Sequence, residues 1–285
     1  MRLLITGAAG VLGQLVTGLV EPEGHELRLT DALPFETPHE FIQADLSDDT
    51  QAAGLCEGMD QVLHIAAIHP WKPYTTQQYL DLNIKGTHNI VAEAARAQVQ
   101  RLIYTSSVSA QGYNVAPDAP LPWDEECPCR PTDSIYSVTK HVGEQFCRMY
   151  HQTAGMPWVA LRPGGFSPRP VEEPAFGLNL LSFGVHREDV AQAHLLALRS
   201  EVVNEPIIIT AGNPFTQADS AALLTDAASL ILRDFAQAQA LVDTGVALPQ
   251  TIGACHSIAK ARRLLGYEPQ WTFGSWLEKW VQSNA

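Results

Sequence analysis

The chain has 285 residues, of which 46% are hydrophobic and 17% are charged, and its formal net charge is −13. This composition excludes a disordered chain and is typical of a globular protein that buries a full core. The acidic balance offers no basic surface for nucleic acid or for an anionic membrane. Because no stretch approaches the roughly 20 apolar residues of a membrane span, we expect a soluble cytoplasmic protein with neither nucleic acid nor membrane as a partner.

The cysteines are odd in number and include no CxxC pair: Cys56, Cys127, Cys129, Cys147 and Cys255. No second couple and no nearby histidine accompanies Cys127 and Cys129, so the spacing predicts no metal site. Reduced thiols, as in a cytoplasmic protein, are the expected state.

Short apolar runs alternate with helical patterns through the first two thirds of the chain. They predict buried strands over 2–6, 26–30, 61–67, 101–107 and 158–163, and a further strand over 206–210. The clearest helical pattern spans 77–98. Alternation of this kind predicts an α/β fold, a doubly wound parallel sheet of the Rossmann type.

Two segments interrupt this alternation and are predicted to be loops. Residues 114–133 contain five prolines, and residues 163–185 are rich in glycine and proline. From about residue 213 the tail predicts a small, mostly helical cap. The predicted division is therefore a sheet domain over 1–166 and a mixed region over 167–285, in which about 186–212 returns to the first domain.

A glycine motif directly follows the first predicted strand and opens a helix. Its members are Gly7, Gly10 and Gly13, with Val11 and Leu12 between the last two. One glycine permits a tight turn, the next lets a pyrophosphate approach backbone N–H groups, and the third allows close packing of helix on strand. The motif predicts a dinucleotide site.

Acidic residues lie at the end of the second predicted strand and after a further short strand that precedes Asp45. Asp31 ends the second strand, where a carboxylate accepts hydrogen bonds from both ribose hydroxyls of an adenosine and repels a 2′-phosphate. No arginine follows it, so the pattern favours NAD over NADP. Asp45 and Leu46 are predicted to contact the adenine, although such a pair at a turn is also typical of a helix cap.

Tyr136 and Lys140 lie one turn apart on a helix predicted to begin near Asp133 or Ser134. We expect an apolar stripe of this helix to be buried, formed by Ile135, Val138, Val142, Phe146 and Met149, with Tyr136 and Lys140 on another face. An ammonium beside a tyrosine, whose ordinary pKa is about 10, stabilises the phenolate and makes it a usable base. Ser107, at the carboxyl end of a predicted strand, could hold a substrate oxygen.

Taken together, the motifs resemble the extended short-chain dehydrogenases/reductases, the NAD-dependent epimerase/dehydratase group, and most of all the free-hexuronate dehydrogenases in length and style. The resemblance rests on TGAAGVLG (6–13), DL (45–46), HIAA (64–67), NIKGTHNIVAEAA (83–95), YTSSVSAQG (104–112), YSVTK (136–140), LRPGGF (161–166) and HREDVAQAHLLAL (186–198). It implies a catalytic triad of Ser107, Tyr136 and Lys140. It also implies cofactor contacts from Tyr136 and Lys140 and from Ala66, Ala67, Asn83 and Pro163.

Further residues are candidates for the substrate side. These are His69, Trp71, Val108, Ser109, Gly165, Phe166 and Arg169, together with Ser107. His64, on an apolar strand, is interpreted as a hydrogen-bonded core or cofactor-wall histidine rather than a catalyst. His186, which opens a helix, is interpreted as structural.

Departures from the family pattern limit the reactions and substrates that we expect for this chain. Ser107 is followed by Val108 and Ser109, so the Asp and Glu that dehydratases use for elimination are missing. The segment 167–185 is short and holds one cation, Arg169, whereas a nucleotide diphosphate needs Arg or Lys clamps. We therefore expect an NAD-dependent dehydrogenase of a small unphosphorylated sugar, uronic acid or polyol.

Two alternatives stay open at this point. The first is a nucleotide-sugar 4-epimerase with trapped NAD, in which Arg262 and Arg263 or Arg169 would bind phosphate. The second is a non-catalytic dinucleotide-sensing regulator, against which the complete Ser107, Tyr136 and Lys140 set argues. The resemblance further implies a homodimer through a helix pair.

Overall fold

In the part of the chain that the structure describes, seven strands form one sheet. The computed structural model describes residues 1–112, 119–166 and 169–284, so parts of the two predicted loops lie outside the described residues. The strands are β1 (Arg2–Thr6), β2 (Glu26–Asp31), β3 (Glu40–Gln43), β4 (Gln61–His64), β5 (Arg101–Thr105), β6 (Trp158–Pro163) and β7 (Glu205–Ile209). Their order is β3-β2-β1-β4-β5-β6-β7, and the pairs from β3 to β6 are parallel. The predicted doubly wound α/β fold is confirmed.

Helices connect these strands and fill the C-terminal part. The α-helices are α1 (Val11–Val20), α2 (Asp49–Ala52), α3 (Thr76–Gln78), α4 (Thr87–Arg96), α5 (Ile135–Ala154), α6 (Pro174–Leu180), α7 (Arg187–Arg199), α8 (Ser220–Leu223), α9 (Ala227–Asp234), α10 (Gln239–Asp243), α11 (Ala259–Leu265) and α12 (Phe273–Asn284). A π-helix, Tyr79–Gly86, joins α3 to α4. Among the described residues, no helix is both long enough and apolar enough to cross a membrane.

The central strands are covered on both faces. Every residue of β4 and β5 is buried, including Arg101 at the start of β5. A buried guanidinium needs acceptors, and Arg101 Nη2 donates to the carbonyls of Ala197 and Leu198 at 2.8 and 2.9 Å, in the last turn of α7. The negative end of that helix therefore stabilises a charge inside the sheet layer.

The chain divides into two compact units that alternate along the sequence. The first comprises Met1–Asn114, Cys129–Arg162 and Ala191–Ile207, and the second Val115–Pro128, Pro163–Val190 and Ile208–Ala285. The domain division expected from the sequence, 1–166 and 167–285, stays a prediction.

Aromatic packing builds the core of the second unit. An added Cβ on Gly177 of α6 would lie 2.1 Å from the ring of Trp276 on α12, so this glycine lets the helix approach the indole. The ring of His186 lies 4.6 Å from that of Trp271. Asp189 of α7 accepts the backbone N–H groups of Gln270 and Trp271 at 2.9 and 3.0 Å. The start of α7, where His186 was expected to be structural, is thus held to the C-terminal segment.

Several predicted boundaries were wrong. The strand expected over 61–67 ends at His64, and that over 101–107 ends at Thr105. The helix expected over 77–98 is divided by the π-helix, and the loop expected over 163–185 contains α6, which Pro174 starts at its first turn. Where the strands end early, the residues that follow are free to line a site at the carboxyl edge of the sheet.

The predicted buried face of α5 was also wrong. Val142 and Phe146 are half-buried and Met149 is 40% exposed, whereas Lys140 and Glu144 are buried. Helical periodicity identifies residues that share a face, but it does not say which face the sheet covers. Here the polar face is covered, because partners on neighbouring strands satisfy its hydrogen-bonding groups. The side chain of Ser134 caps the helix by accepting a hydrogen bond from the N–H of Ser137. The helix therefore begins where the sequence predicts, near Asp133 or Ser134.

Candidate active site

The glycine loop connects β1 to α1 by a turn that side chains would block. Gly7 has a φ of +70°, and a Cβ there would lie 2.8 Å from the backbone of Ala66. A Cβ on Gly13 would lie 2.2 Å from the carbonyl oxygen of Gly7. Gly10 is the capping residue of α1, no side chain of the described residues caps this start, and Val11 is 55% exposed. The first N–H groups of α1 are thus accessible to an anion, and Leu12 behind them is buried.

Asp31 belongs to the same edge of the sheet. Its carboxylate accepts the N–H of Ala9 in the glycine loop at 3.0 Å and the N–H of Leu33 at 3.0 Å. The half-buried side chain is thus fixed beside the loop, the position that the sequence predicts for an adenosine ribose.

The other two residues predicted at the adenosine have clear local roles. Asp45 is exposed and accepts both the N–H and the hydroxyl of Ser47, at 2.9 and 2.8 Å. Leu46 is 3% exposed and packs in the core of the first unit. Asp45 thus stabilises a turn and Leu46 packs in the core, and the contact of both residues with adenine stays a prediction.

Residues after β4 are tied to both neighbouring elements. Thr6 Oγ1 accepts the N–H groups of Ile65 and Ala66 at 3.1 and 3.2 Å, which holds the segment that also includes Ala67 against β1. Asn83, from the π-helix, exchanges two hydrogen bonds of 2.9 Å with the backbone of Ile68 and donates to Thr139 of α5 at 3.2 Å. Asn83 thereby joins the segment after β4 to α5.

Ser107 lies two residues beyond the end of β5. It caps a short 3₁₀ turn, Val108–Gln111, and its Oγ accepts the N–H of Ser109 at 3.1 Å. Val108 and Ser109 are 2% and 3% exposed, so the turn that orients Ser107 is itself buried. The hydroxyl is therefore held by backbone geometry at the carboxyl edge of the sheet.

Lys140 is buried beside Tyr136. Its Nζ donates to the carbonyl of Thr105 at 2.7 Å and lies 5.9 Å from the centroid of the Tyr136 ring. Burial lowers the pKa of Lys140 to about 7, and the charge of Glu144 opposes that shift. The ammonium is thus placed where it favours the phenolate of Tyr136.

Aromatic rings surround Tyr136. The ring of His69 stacks on it with centroids 6.3 Å apart and planes at 11°, and Tyr79 of the π-helix meets it edge-on at 6.4 Å. Trp71, which is 52% exposed, lies 5.4 Å from His69. Burial, followed by the charges of Lys140 and Lys72, lowers the pKa of His69 to about 4, so the imidazole is neutral at pH 7. The structure therefore brings His69 next to Tyr136 as a neutral hydrogen-bonding ring.

His64 is a core histidine. Its two ring nitrogens lie 2.8 Å from Thr6 Oγ1 and 3.1 Å from Thr87 Oγ1. Burial, followed by the charge of Lys140, lowers its pKa to about 3. Both ring nitrogens have partners in the interior, which is the structural role expected from the sequence.

Glu144 and Arg162 form a buried ion pair that sequence reasoning missed. Arg162 donates through Nε and Nη2 to the two carboxylate oxygens, each at 2.8 Å, and both side chains are 1% exposed. Ser106 Oγ donates to the same carboxylate at 2.6 Å. The available signal was the position of Glu144 four residues after Lys140, which places the two on one helix face.

The remaining predicted residues belong to the second unit. Gly165 forms an isolated bridge with Gly184, Phe166 is half-buried and Arg169 is exposed. Pro163, the last residue of β6, is buried. Their contacts with substrate or cofactor stay predictions.

Comparison with known proteins identifies the family. Residues 3–173 match the NAD dependent epimerase/dehydratase family. A uronate dehydrogenase of Pseudomonas syringae pv. tomato is 35% identical over 173 residues, 59% of this chain and 61% of that protein. A uronate dehydrogenase of Agrobacterium fabrum is 32% identical over 211 residues, 73% of this chain and 75% of that protein.

A solved structure shows the same fold. It is a short-chain dehydrogenase/reductase superfamily protein from Agrobacterium tumefaciens with bound NAD, which aligns with a TM-score of 0.73 and 22% identity over 100% of this chain and 97% of the other. At this identity the likeness concerns the fold alone. With the family match over more than half of the sequence, the chain belongs to the NAD dependent epimerase/dehydratase family, and NAD is its cofactor.

Proposed function

We propose that the protein is a dehydrogenase that oxidises a carbinol of a small free sugar acid, a hexuronate, with NAD. The observation that carries this proposal is the arrangement of Ser107, Tyr136 and Lys140. The ammonium of Lys140 is buried beside the Tyr136 ring, and Ser107 is held by its own turn after β5. These are the groups that proton transfer from a carbinol requires.

The residues of the glycine loop fit the cofactor. The uncapped start of α1 and the absence of side chains at Gly7, Gly10 and Gly13 suit a pyrophosphate, and the carboxylate of Asp31 suits the adenosine ribose. Lys140 would hold the nicotinamide ribose. NAD bound there would supply the hydride acceptor for the substrate carbon.

Tyr136 then acts as the base. Its phenolate, stabilised by the ammonium of Lys140, takes the proton of the substrate hydroxyl. Ser107 Oγ donates a hydrogen bond to the same oxygen and keeps it in place as charge changes. His69, neutral at pH 7, offers a further hydrogen bond beside Tyr136 without adding charge.

The substrate class rests on the relatives and on charge. The two relatives described above are uronate dehydrogenases. The segment 167–185 holds one cation, Arg169, and a nucleotide diphosphate would need several. A free sugar acid agrees with both observations.

One assay tests the function. Purified protein is incubated with NAD and separate panels of hexuronates, neutral sugars, polyols and nucleotide sugars, and both NADH and product stereochemistry are followed. Net NADH from a hexuronate is the expected result. Epimerisation of a nucleotide sugar without net NADH would contradict the proposal and support the epimerase alternative.

We further propose a cytoplasmic homodimer. The half-exposed apolar face of α5, which includes Val142, Phe146 and Met149, supports self-association, and the five cysteines form no disulfides, as in a reducing compartment. Light scattering of the protein, with Phe146→Glu as the disrupting variant, tests the dimer. Cell fractionation tests the compartment.

A further inference from the structure

Three residues of α5 lie in one row at successive turns. They are Tyr136, Lys140 and Glu144, and the last two are buried. Spacing of four residues places each side chain above the next. The carboxylate of Glu144 therefore lies one turn behind the ammonium of Lys140, on the side away from Tyr136.

The last residue of β5 and the residue that follows it are both hydrogen-bonded to this row. The carbonyl of Thr105 accepts Lys140 Nζ at 2.7 Å, and Ser106 Oγ donates to Glu144 Oε1 at 2.6 Å. Ser107 follows directly in the chain. Two hydrogen bonds to α5 thus fix the backbone immediately before the hydroxyl proposed to hold the substrate oxygen.

Titratable groups from three parts of the chain face Lys140. They are Tyr104 of β5, His64 of β4 with His69 of the following segment, and Tyr136 and Glu144 of its own helix. Burial keeps His64 and His69 neutral by lowering their pKa values, and it keeps Tyr104 neutral by raising its pKa.

Glu144 behaves differently from these neutral groups. Burial opposes its ionisation, but the hydrogen bonds and charge of Arg162 hold its pKa below the usual range. It therefore places a negative charge next to Lys140 at neutral pH.

We propose that Glu144 is a positioning residue for the reaction, whose buried carboxylate keeps Lys140 charged beside Tyr136 and, through Ser106, fixes Ser107 in register with α5. This inference rests on the proposed function, but the effect of Glu144 on the charge of Lys140 can be tested without substrate. A stabilising role alone does not explain the pair, because buried ion pairs are commonly no more stabilising than apolar residues of the same volume.

The test measures how turnover with NAD and hexuronate depends on pH in Glu144→Gln. Removing a negative charge lowers the pKa of every nearby group that loses a proton. Both limbs of the profile, the acid limb set by Tyr136 and the alkaline limb set by Lys140, should therefore move to lower pH. The alkaline limb should move more, by about one pH unit, because Lys140 is one helical turn from Glu144 and Tyr136 is two turns from it. Glu93→Gln, which disrupts the pair between half-buried Glu93 and exposed Arg96 on α4, is the matched control and should leave the profile unchanged.

A double variant separates the effect of Glu144 from that of an unpaired Arg162. In Glu144→Gln/Arg162→Met neither member of the ion pair is left unpaired, and the shift should persist because the carboxylate of Glu144 is the charge that acts on Lys140. A return to the wild-type profile in the double variant would overturn the electrostatic role. Ser106→Ala keeps the carboxylate, so it should lower kcat about tenfold through Ser107 with unshifted limbs. Full turnover in Ser106→Ala would overturn the positioning of Ser107.

Binding of NADH gives a readout that needs no substrate. Nicotinamide fluorescence measures the affinity for NADH at each pH. As the pH rises and Lys140 loses its charge, the affinity should fall, and this fall should begin about one pH unit lower in Glu144→Gln than in the wild type. If no hexuronate is oxidised but this shift occurs, the proposed substrate is wrong and the role of Glu144 stands. If the two NADH curves superimpose, Glu144 does not control the charge of Lys140.

Discussion

The hydroxyl of Tyr136 is the atom on which the proposed chemistry depends. Tyr136→Phe removes it and keeps the ring that stacks with His69 and meets Tyr79. Turnover should fall by at least about 100-fold, since general base catalysis contributes about that much or more, while NADH affinity changes little. Steady-state kinetics and fluorescence titration check both expectations. Retention of most of the activity would assign the base to another group.

Lys140 should affect both turnover and cofactor binding. Lys140→Met keeps the length and apolar stem of the side chain but loses the charge and the hydrogen bond to the Thr105 carbonyl. We expect a loss of turnover of about 100-fold and a loss of NADH affinity of about tenfold, because in the proposed function the charge of Lys140 serves both the phenolate and the ribose. The same two measurements apply, and normal NADH affinity would contradict the ribose contact.

At the residue scale, spacing and residue type were enough to select Tyr136, Lys140 and Ser107 as candidates. They were not enough to find Glu144, because a glutamate on a helix is usually solvated and only the packing of Arg162 and Ser106 around it shows a buried site. The predicted apolar stripe failed for the same reason, since burial of one face depends on partners that are distant in sequence.

Two glycines of α1 provide a test at the scale of one element. A methyl group on Gly13 would meet the carbonyl of Gly7, whereas a Cβ added on Gly18 would meet no atom of the described residues within 4 Å outside its chain neighbours and the nearby backbone of its own helix. Gly13→Ala should lower both the thermal midpoint and NADH affinity, because the loop must move to avoid the clash. Gly18→Ala should raise the free energy of unfolding by about 1 kcal/mol and leave NADH binding unchanged, as alanine is the better helix former. Equal effects of the two changes would show that the loop is not tightly packed.

The π-helix is an element that periodicity did not predict. Residues 77–98 have an apolar repeat typical of one continuous helix, yet the segment Tyr79–Gly86 is wound more widely. This winding accompanies the contacts of Asn83 with Ile68 and Thr139 and of Tyr79 with Tyr136. Those contacts join three separate parts of the chain, so no local sequence pattern predicts them.

At the scale of the whole molecule, His64 should make stability depend on pH. Its pKa is lowered to about 3 by burial, against 6.5 in the unfolded chain, so the unfolded state binds the extra proton between these values. The contribution is therefore complete above pH 6.5 and is lost as pH falls. We expect the free energy of unfolding to decrease by about 2 kcal/mol from pH 7 to pH 5 through this group.

Urea denaturation at the two pH values measures this loss. His64→Asn, which cannot titrate but can still hydrogen-bond to Thr6 or Thr87, is the control and should show a smaller decrease. An equal decrease in both proteins would assign the acid sensitivity to other groups.

The sequence alone determined the α/β class, the glycine loop, the acid at the end of β2 and the Tyr136 and Lys140 spacing, because these features depend on residues close together in the chain. The tertiary structure decided which face of α5 is buried, where β4 and β5 end, and how Glu144, Arg162 and Ser106 meet behind Lys140. Those outcomes depend on groups brought together from β5, α5 and β6, and the free energy of burying a charge is set by such neighbours and not by the local sequence.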